Sequence, residues 1–329
     1  MTVPVADAPP QPSTKFIYGM RDQFFDALYE IAQTDRDLVL ISADNGAPTM
    51  DQFVDNLPGQ FYTVGIAEQQ MIGMACGMAT EGKMVYTYAI APFVTTRVHE
   101  QNKLDICAMN LPIVNLGVGA GYAYDIMGPT HHTVEDITIM RVLPNLTIFS
   151  PADGVTAGAL AEISYRLRSP QYIRFDRSGI PDIYTGWDLD FEEGLIETRR
   201  GADVCLVATG IMVHQALEVA DALAERGVQA AVVDLFRLKP INEQKLLSIL
   251  ARFSKVVTLE EHLLAGGMGS ALAEIFVDRG VTTPLLRIGQ NDRFVFELGG
   301  REVIWEKSGL DVPGILRQID DWSRERGLA

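Results

Sequence analysis

GIAEQQMIGMACGMATEGKMVYTYA (residues 65–89) joins a helical pattern to a buried-strand pattern within a single stretch. From Glu68 to Thr80, apolar side chains recur at the spacing of one helix face. Gly82 supplies a helix stop, and MVYTYA (84–89) follows as an apolar strand. The stretch therefore predicts a helix that leads directly into a strand of a buried sheet.

The same alternation continues on both sides of this stretch. A helical period covers 16–33, and Asp153 is a suitable N-cap for a helix through Leu167. Further runs of the buried-strand kind are LVLISA (38–43), PIVNLGV (112–118), LTIFSP (146–151) and YIRF (172–175). Strands that alternate with helices predict a parallel sheet with helices on both faces.

The pattern breaks at 182–201, an acidic stretch that we interpret as a linker or a small edge hairpin. It restarts with DVCLVAT (203–209), AAVVDL (230–235), KVVTLE (255–260) and PLLRIG (284–289). The predicted fold class is α/β, with two parallel-sheet α/β domains. The predicted divisions are a disordered tail over 1–15, a first domain over 16–185, a linker over 186–200 and a second domain over 201–329.

Composition limits the classes of function. The 329 residues are 47% hydrophobic and carry a formal net charge of -16, which disfavours nucleic acid and anionic membranes as partners. No run of about 18 apolar residues predicts a membrane span, and residues 1–15 lack the apolar core of a signal peptide. Cys76, Cys107 and Cys205 lie far apart and predict neither disulfides nor a metal cluster, so a cytoplasmic location is expected.

Two segments carry residues suited to catalysis. Glu68 stands at the predicted helix start, where the helix dipole favours a carboxylate even without a function. MGPTHHTVED (127–136) is a loop with two adjacent imidazoles, His131 and His132, that can donate or carry protons. A surface loop with incidental histidines is the alternative. Zinc is disfavoured because no cysteine or third histidine lies at ligand spacing.

Five motifs in order resemble the pyrimidine domain of the transketolase family. They are GIAEQ, the aromatic-bearing strand end from Tyr88 to Phe93, GPTH, SPAD and a strand ending in DRSG. A later segment, VVTLEEHLLAGGMGSALAE (256–274), resembles the family's C-terminal domain. The resemblance covers about 16–320. It implies a pyrimidine-binding first domain, a transketolase C-terminal-like second domain, and thiamine diphosphate as cofactor.

The resemblance also implies roles on the cofactor side. Glu68 matches the family glutamate that hydrogen-bonds N1′ of the aminopyrimidine, which makes it a catalytic residue. Phe93 matches an aromatic that stacks on the pyrimidine, and Ile90 stands where transketolases often have a second aromatic. Asp44, in SADN, matches an aspartate that shapes the site near the border between two chains, with a turn-forming aspartate as the alternative.

On the substrate side, His131 matches the family histidine that donates to the substrate carbonyl or hydroxyl, and it is the second catalytic residue implied. Arg177, in DRSG, and Arg21 match arginines that bind the sugar-phosphate end, a task suited to a guanidinium fork. A solvated surface charge is the alternative for each arginine. The family aspartate before GPTH is replaced by Met127, and Asp125 is a candidate substitute.

Two other departures concern the donor sugar. Gly119 stands where transketolases carry a histidine, and a family serine is replaced near Pro48. In the family these positions contact the donor's hydroxyls and phosphate. A deoxygenated, amino-substituted or differently charged sugar is therefore an alternative to the ordinary pentose phosphates.

The sequence lacks the GDG motif through which thiamine diphosphate enzymes hold Mg²⁺ and diphosphate. The resemblance therefore implies a separate partner chain, with the diphosphate-binding domain, that anchors both groups. It also implies self-association into an A2B2 heterotetramer and no metal site in this chain. The implied activity is transfer of a two-carbon ketol unit from a phosphorylated or otherwise anionic ketose to an aldehyde. The alternatives are the β chain of a 2-oxo acid dehydrogenase and a non-catalytic regulatory homologue.

Overall fold

The structure is a computed structural model that describes residues 19–177, 179–185 and 189–327, so the tail predicted over 1–15 lies outside the described residues. The chain folds into a seven-stranded and a five-stranded sheet, each packed against helices. The predicted α/β fold class with two mostly parallel sheets is confirmed. Among the described helices, none is both long and apolar enough to cross a membrane.

The first half of the chain supplies six strands of the larger sheet. They are β1 (Leu38–Ser42), β2 (Phe61–Thr63), β3 (Met84–Ile90), β4 (Ile113–Val118), β5 (Thr147–Phe149) and β6 (Gln171–Phe175). The helices are α1 (Met20–Thr34), α2 (Asp51–Asn56), α3 (Glu68–Thr80), α4 (Ala91–Val94), α5 (His99–Gln101), α6 (Asp136–Arg141) and α7 (Gly154–Leu167), with 3-10 turns at Pro48–Met50 and Asp125–Thr130 and a π-helical segment at Asn102–Ala108. The strands pair in parallel in the order β5-β6-β4-β3-β1-β2. Every residue of β1, β4 and β6 is buried, which explains their continuous apolar pattern.

The second half supplies the smaller sheet. Its strands and the helices around them are β7 (Leu195–Arg199), β8 (Val204–Ala208), β9 (Ala230–Leu235), β10 (Arg237–Lys239), β11 (Val256–Leu263), β12 (Leu285–Gln290), α8 (Met212–Glu225), α9 (Glu243–Leu250), α10 (Met268–Asp278), α11 (Arg301–Ser308) and α12 (Val312–Glu325), after a 3-10 turn at Phe191–Glu193. The strand order is β12-β11-β8-β9-β7. This half packs its apolar helix faces against a continuously buried sheet centre.

Two edge strands differ from the sequence prediction. Strand β7 lies inside the predicted linker over 186–200 and pairs antiparallel with β9. Strand β10 crosses to the larger sheet and pairs antiparallel with β5. In each strand a single residue, Leu195 or Leu238, is buried. Short edge strands with so few buried side chains have no apolar run by which the sequence could identify them.

Two helix boundaries agree with the sequence prediction. Helix α3 covers Glu68–Thr80, the predicted range. The N-cap of α7 is Asp153, whose Oδ1 accepts a hydrogen bond from the backbone N–H of Thr156 at 2.8 Å. Its other oxygen accepts the backbone N–H of Ile183 at 2.9 Å, which ties the end of the first half to this helix.

A buried ionic cluster joins the two halves beneath the loop that follows β4. Oε1 of Glu261, on β11, accepts from Nε of Arg301 at 2.8 Å, and Oε2 accepts from the backbone N–H of Tyr122 at 2.9 Å. Nη1 of Arg301 lies 2.6 Å from Oδ2 of Asp176. Because an unpaired charge in this interior is costly, the cluster fixes the loop after β4 against the second half.

The carboxyl ends of β1, β3, β4 and β6 open at one edge of the larger sheet, where ligands bind in parallel α/β folds. Helices α1 and α3 run antiparallel to these strands and begin at the same edge. The loops and helix starts at this edge carry Asp44, Ile90, Phe93, Asp125, His131, Arg177, Arg21 and Glu68.

Candidate active site

Glu68 is the first residue of α3, and its side chain is only 4% exposed. Its Oε2 accepts a hydrogen bond from Nη1 of Arg97 at 2.8 Å. The positive end of the helix dipole adds to the attraction on this carboxylate. Arg97 is 43% exposed, so a buried anion is paired with a cation that reaches solvent.

Phe93 lies next to this ion pair. It belongs to α4, the short helix that begins immediately after Ile90 at the end of β3. Cζ of Arg97 lies 3.8 Å from the centroid of the Phe93 ring, which is a close cation–π contact. Arg97 belongs to none of the family motifs, and its only signal in the sequence is its position one turn after Phe93.

His131 extends the site on the other side of Phe93. The two rings have centroids 5.3 Å apart and meet edge to face. Nδ1 of His131 lies 2.9 Å from Oγ1 of Thr130, which fixes the ring orientation. Partial burial, with the charges of Arg97 and His132, holds the pKa of His131 below its usual value. The imidazole is therefore neutral near pH 7 and can accept a proton.

Tyr124 is a further residue of the site that no motif indicates. Its ring centroid lies 5.8 Å from that of His131. It packs against Gly119, where a Cβ would stand 2.2 Å from Cε2 of the tyrosine ring. The absence of a side chain at Gly119, where transketolases carry a histidine, is thus matched by the ring of Tyr124.

Two guanidinium groups lie near Tyr124. Cζ of Arg177 is 4.9 Å from the ring centroid, and the Arg177 side chain is exposed. Arg21 is partly buried at the start of α1, and its Nη1 donates to the Tyr88 hydroxyl at 3.5 Å. Burial raises the pKa of Tyr124, while the charges of Arg177 and Arg21 act in the opposite direction. Two cations that both act on one ring form a region suited to an anionic group.

Three predicted or considered residues lie outside this group of contacts. Both carboxylate oxygens of Asp125 accept backbone N–H groups, Oδ1 from Ile126 at 2.8 Å and Oδ2 from Arg301 at 3.0 Å. Asp125 therefore caps the start of α11, and its position does not support the predicted substrate contact, because spacing along a loop does not fix the direction of a side chain. Asp44 is exposed and has a positive φ of 54°, as expected for a turn-forming aspartate. His132 is buried against Tyr122, with ring centroids 5.0 Å apart.

The contacts form a continuous series along the sheet edge. It runs from the carboxylate of Glu68 through Arg97, Phe93, His131 and Tyr124 to Arg177. One end offers a buried carboxylate beside an aromatic face, the middle a proton carrier, and the other end cations. Over the described residues, no group of three or more His, Cys, Asp or Glu side chains could hold a metal ion.

Comparison with known protein families matches both halves of the chain. Residues 18–182 match the model of the transketolase pyrimidine-binding domain, and residues 193–315 match the model of the transketolase C-terminal domain. The second match begins before β7, in agreement with the place of that strand in the smaller sheet.

Curated relatives and a solved structure agree with these matches. One of the subunits of the apulose-4-phosphate transketolase of Phocaeicola vulgatus is 33% identical over 299 residues, covering 90% of this chain and 95% of the relative. The 6-deoxy-6-sulfo-D-fructose transketolase subunit SqwH of a Clostridium species is 35% identical over 313 residues, covering 94% and 96%. A solved structure described as a split gene transketolase, an inactive beta4 tetramer, has a TM-score of 0.83 and 34% identity, covering 92% of this chain and 97% of that one.

These relatives are chains of similar extent, and the two matched domains occur in the order implied by the sequence resemblance. The chain therefore belongs to the transketolase family, of which it contains the pyrimidine-binding domain and the C-terminal domain.

Proposed function

We propose that this chain is the pyrimidine-binding half of a two-chain, thiamine diphosphate-dependent enzyme that transfers a two-carbon ketol unit from an anionic ketose to an aldehyde. The observation that carries the proposal is the single series of contacts at the sheet edge. A cofactor-activating carboxylate, a stacking ring, a neutral imidazole and two cations are the groups that such a transfer requires. A regulatory homologue would not need all of them together.

The residues at one end of this series fit the aminopyrimidine of the cofactor. The flat guanidinium of Arg97, which carries N–H donors, already fits against Phe93 with one donor at Glu68, so the place accepts a planar, hydrogen-bonding group. Glu68 would hold the proton shared with N1′, and Phe93 would support one ring face. When bound, thiamine diphosphate supplies the electron sink for carbon–carbon bond cleavage. A divalent metal and the diphosphate would be held mainly by the partner chain.

His131 and the two arginines act on the substrate. As a neutral imidazole, His131 can take a proton from the donor hydroxyl during cleavage and return one to the acceptor carbonyl. Arg177 and Arg21 would bind the anionic end of the sugar beside Tyr124. The printed names of the two relatives, an apulose 4-phosphate and a deoxysulfofructose enzyme, both describe anionic ketoses. They support an anionic donor without selecting phosphate or sulfonate.

Dependence on a partner rests on three observations. The sequence lacks a GDG motif, the split-gene neighbour is described as inactive when only beta chains assemble, and the loop 291–300 exposes large apolar side chains. These are Phe294, Phe296 and Leu298. Exposed apolar groups of this size are typical of contacts between chains. A heterotetramer with two copies of this chain and two of its partner is the assembly that we propose.

The test is a ketose screen on the chain co-expressed with its GDG-containing partner. We expect ketol transfer by the pair, and Glu68→Gln should lower kcat by at least ~100-fold. Glu81→Gln is the matched control, because Glu81 is an exposed glutamate at the other end of the same helix. Oxidative decarboxylation of a 2-oxo acid by the pair would instead identify the dehydrogenase β chain. Full activity of Glu68→Gln would contradict the role given to Glu68.

A further inference from the structure

Arg97 makes both contacts that the proposed function gives to the aminopyrimidine. Its Nη1 donates to the carboxylate of Glu68 at 2.8 Å, and its Cζ lies 3.8 Å from the Phe93 ring centroid. A pyrimidine that stacks on Phe93 and hydrogen-bonds Glu68 needs the same ring face and the same carboxylate. The guanidinium and the pyrimidine therefore cannot hold these positions at the same time.

The two members of the ion pair differ in how easily they can be released. Glu68 is 4% exposed, and a carboxylate so deeply buried is costly without a partner. Arg97 reaches solvent through a long, flexible stem, so its own charge is easily rehydrated when it leaves. The structure thus contains a fixed anion and an exchangeable cation.

Space for this exchange exists next to the ion pair. An open recess of about 510 Å³ is lined by Arg97 together with residues 66–70, which include Glu68. The Arg97 side chain can turn into this recess and leave the face of Phe93 free without movement of α3 or α4. The backbone N–H of Arg97 is held by the carbonyl oxygen of Pro92 at 3.1 Å, so only the side chain needs to move.

We propose that Arg97 is an internal substitute for the aminopyrimidine: it occupies the pyrimidine site of the empty chain and is displaced when the cofactor binds. The inference rests on the proposed function, since it takes Glu68 and Phe93 as the pyrimidine's partners. In this role Arg97 neutralises Glu68 before assembly and lowers the affinity of the incomplete site for the cofactor. The cofactor is then retained only when the partner chain adds its own contacts.

The test measures thiamine binding to the isolated full-length chain by ligand-detected NMR and calorimetry. Arg97→Ala should tighten thiamine binding about tenfold, equal to about 1.4 kcal/mol, because one solvent-reaching ion pair and one cation–π contact no longer compete. Arg97→Lys should fall between wild type and Arg97→Ala, since lysine keeps the charge but has no flat face.

A matched control is available at the opposite end of the sheet. Arg168 pairs with Asp35 at 3.3 Å and has its Cζ 5.3 Å from the Tyr165 ring centroid, the same two kinds of contact away from the site. Arg168→Ala should leave the thiamine affinity unchanged. In thermal unfolding, thiamine should raise the Tm of Arg97→Ala more than that of wild type, because the ligand restores a partner to Glu68.

The possible failures are distinguishable. If Glu68→Gln does not weaken thiamine binding, the proposed function itself is wrong. If Glu68→Gln weakens binding but Arg97→Ala leaves it equal or weaker, only the substitute role of Arg97 is refuted. Lack of binding by both wild type and Arg97→Ala also refutes this role, because Arg97 is then not what excludes the ligand. Binding by Arg97→Ala alone is the strongest support.

Discussion

The contact between Gly119 and Tyr124 allows a prediction whose size can be worked from the structure. A Cβ at Gly119 would stand 2.2 Å from Cε2 and 2.3 Å from Cδ2 of the tyrosine ring, well inside van der Waals contact. Gly119→Ala therefore adds two costs. A non-glycine residue at φ +96° costs roughly 1–2 kcal/mol, and forced repacking around the new methyl group costs roughly 1–3 kcal/mol more.

Gly82 separates these two costs. Its φ of +93° is nearly the same as that of Gly119, but no atom lies within 4 Å of its added Cβ. Gly82→Ala should lose only the backbone part, roughly 1–2 kcal/mol of unfolding free energy. Gly119→Ala should lose roughly 2–5 kcal/mol. Urea unfolding of the isolated chain, followed by circular dichroism, measures both values.

A double mutant completes this test. In a Tyr124→Ala background the collision is absent, so Gly119→Ala should cost no more than Gly82→Ala. In the reconstituted enzyme, Gly119→Ala should also raise the donor KM roughly tenfold, because a displaced Tyr124 no longer supports Arg177. Equal destabilisation by Gly119→Ala and Gly82→Ala, or persistence of the difference without Tyr124, would refute the reasoning.

Two other predictions concern histidines. His131→Asn should lower kcat of the reconstituted enzyme by roughly 100-fold or more, since the amide cannot carry a proton, while the unfolding free energy stays within about 0.5 kcal/mol; an unchanged kcat would contradict its proton-carrying role. Burial lowers the pKa of His262 to about 4, with Asp136 opposing this shift and Arg174 adding to it. The unfolded chain binds this proton near pH 6.5, so His262 contributes stability that is present above pH 6.5 and lost as pH falls toward 4. Relative to His262→Gln, the unfolding free energy of wild type should therefore fall by roughly 3 kcal/mol across this window, and parallel titration curves for the two proteins would show that His262 is not the titrating group.

Much of the fold was predictable from the sequence because its central strands are buried on both faces. Strands β1, β4 and β6 leave continuous apolar runs, and the helix over Glu68–Thr80 leaves a clean period and a glycine stop. The edge strands β7 and β10 leave neither signal, because most of their side chains are half exposed. Their pairing is set by the neighbouring strands and not by their own composition.

The site divides in the same way between what motifs carry and what packing decides. Glu68, Phe93 and His131 lie within ordered motifs, and the structure brings them together. Arg97 and Tyr124 contact them but belong to no motif, because their roles depend on which ring face they approach. Asp125 illustrates the opposite case, since its oxygens are used by backbone amides, one of them at the start of α11, a contact that spans 176 residues of sequence.

Strand β10 gives the two halves of the chain a shared border. It leaves the second half after β9 and completes the edge of the larger sheet beside β5. A fragment that ended at residue 185 would leave the edge of β5 bare and open to pairing with other chains. Chimaeras that exchange the C-terminal half for that of another enzyme should therefore place their junction after Lys239, so that the first sheet keeps its own final strand. A junction in the acidic stretch over 186–200 would remove that strand from the sheet that it closes.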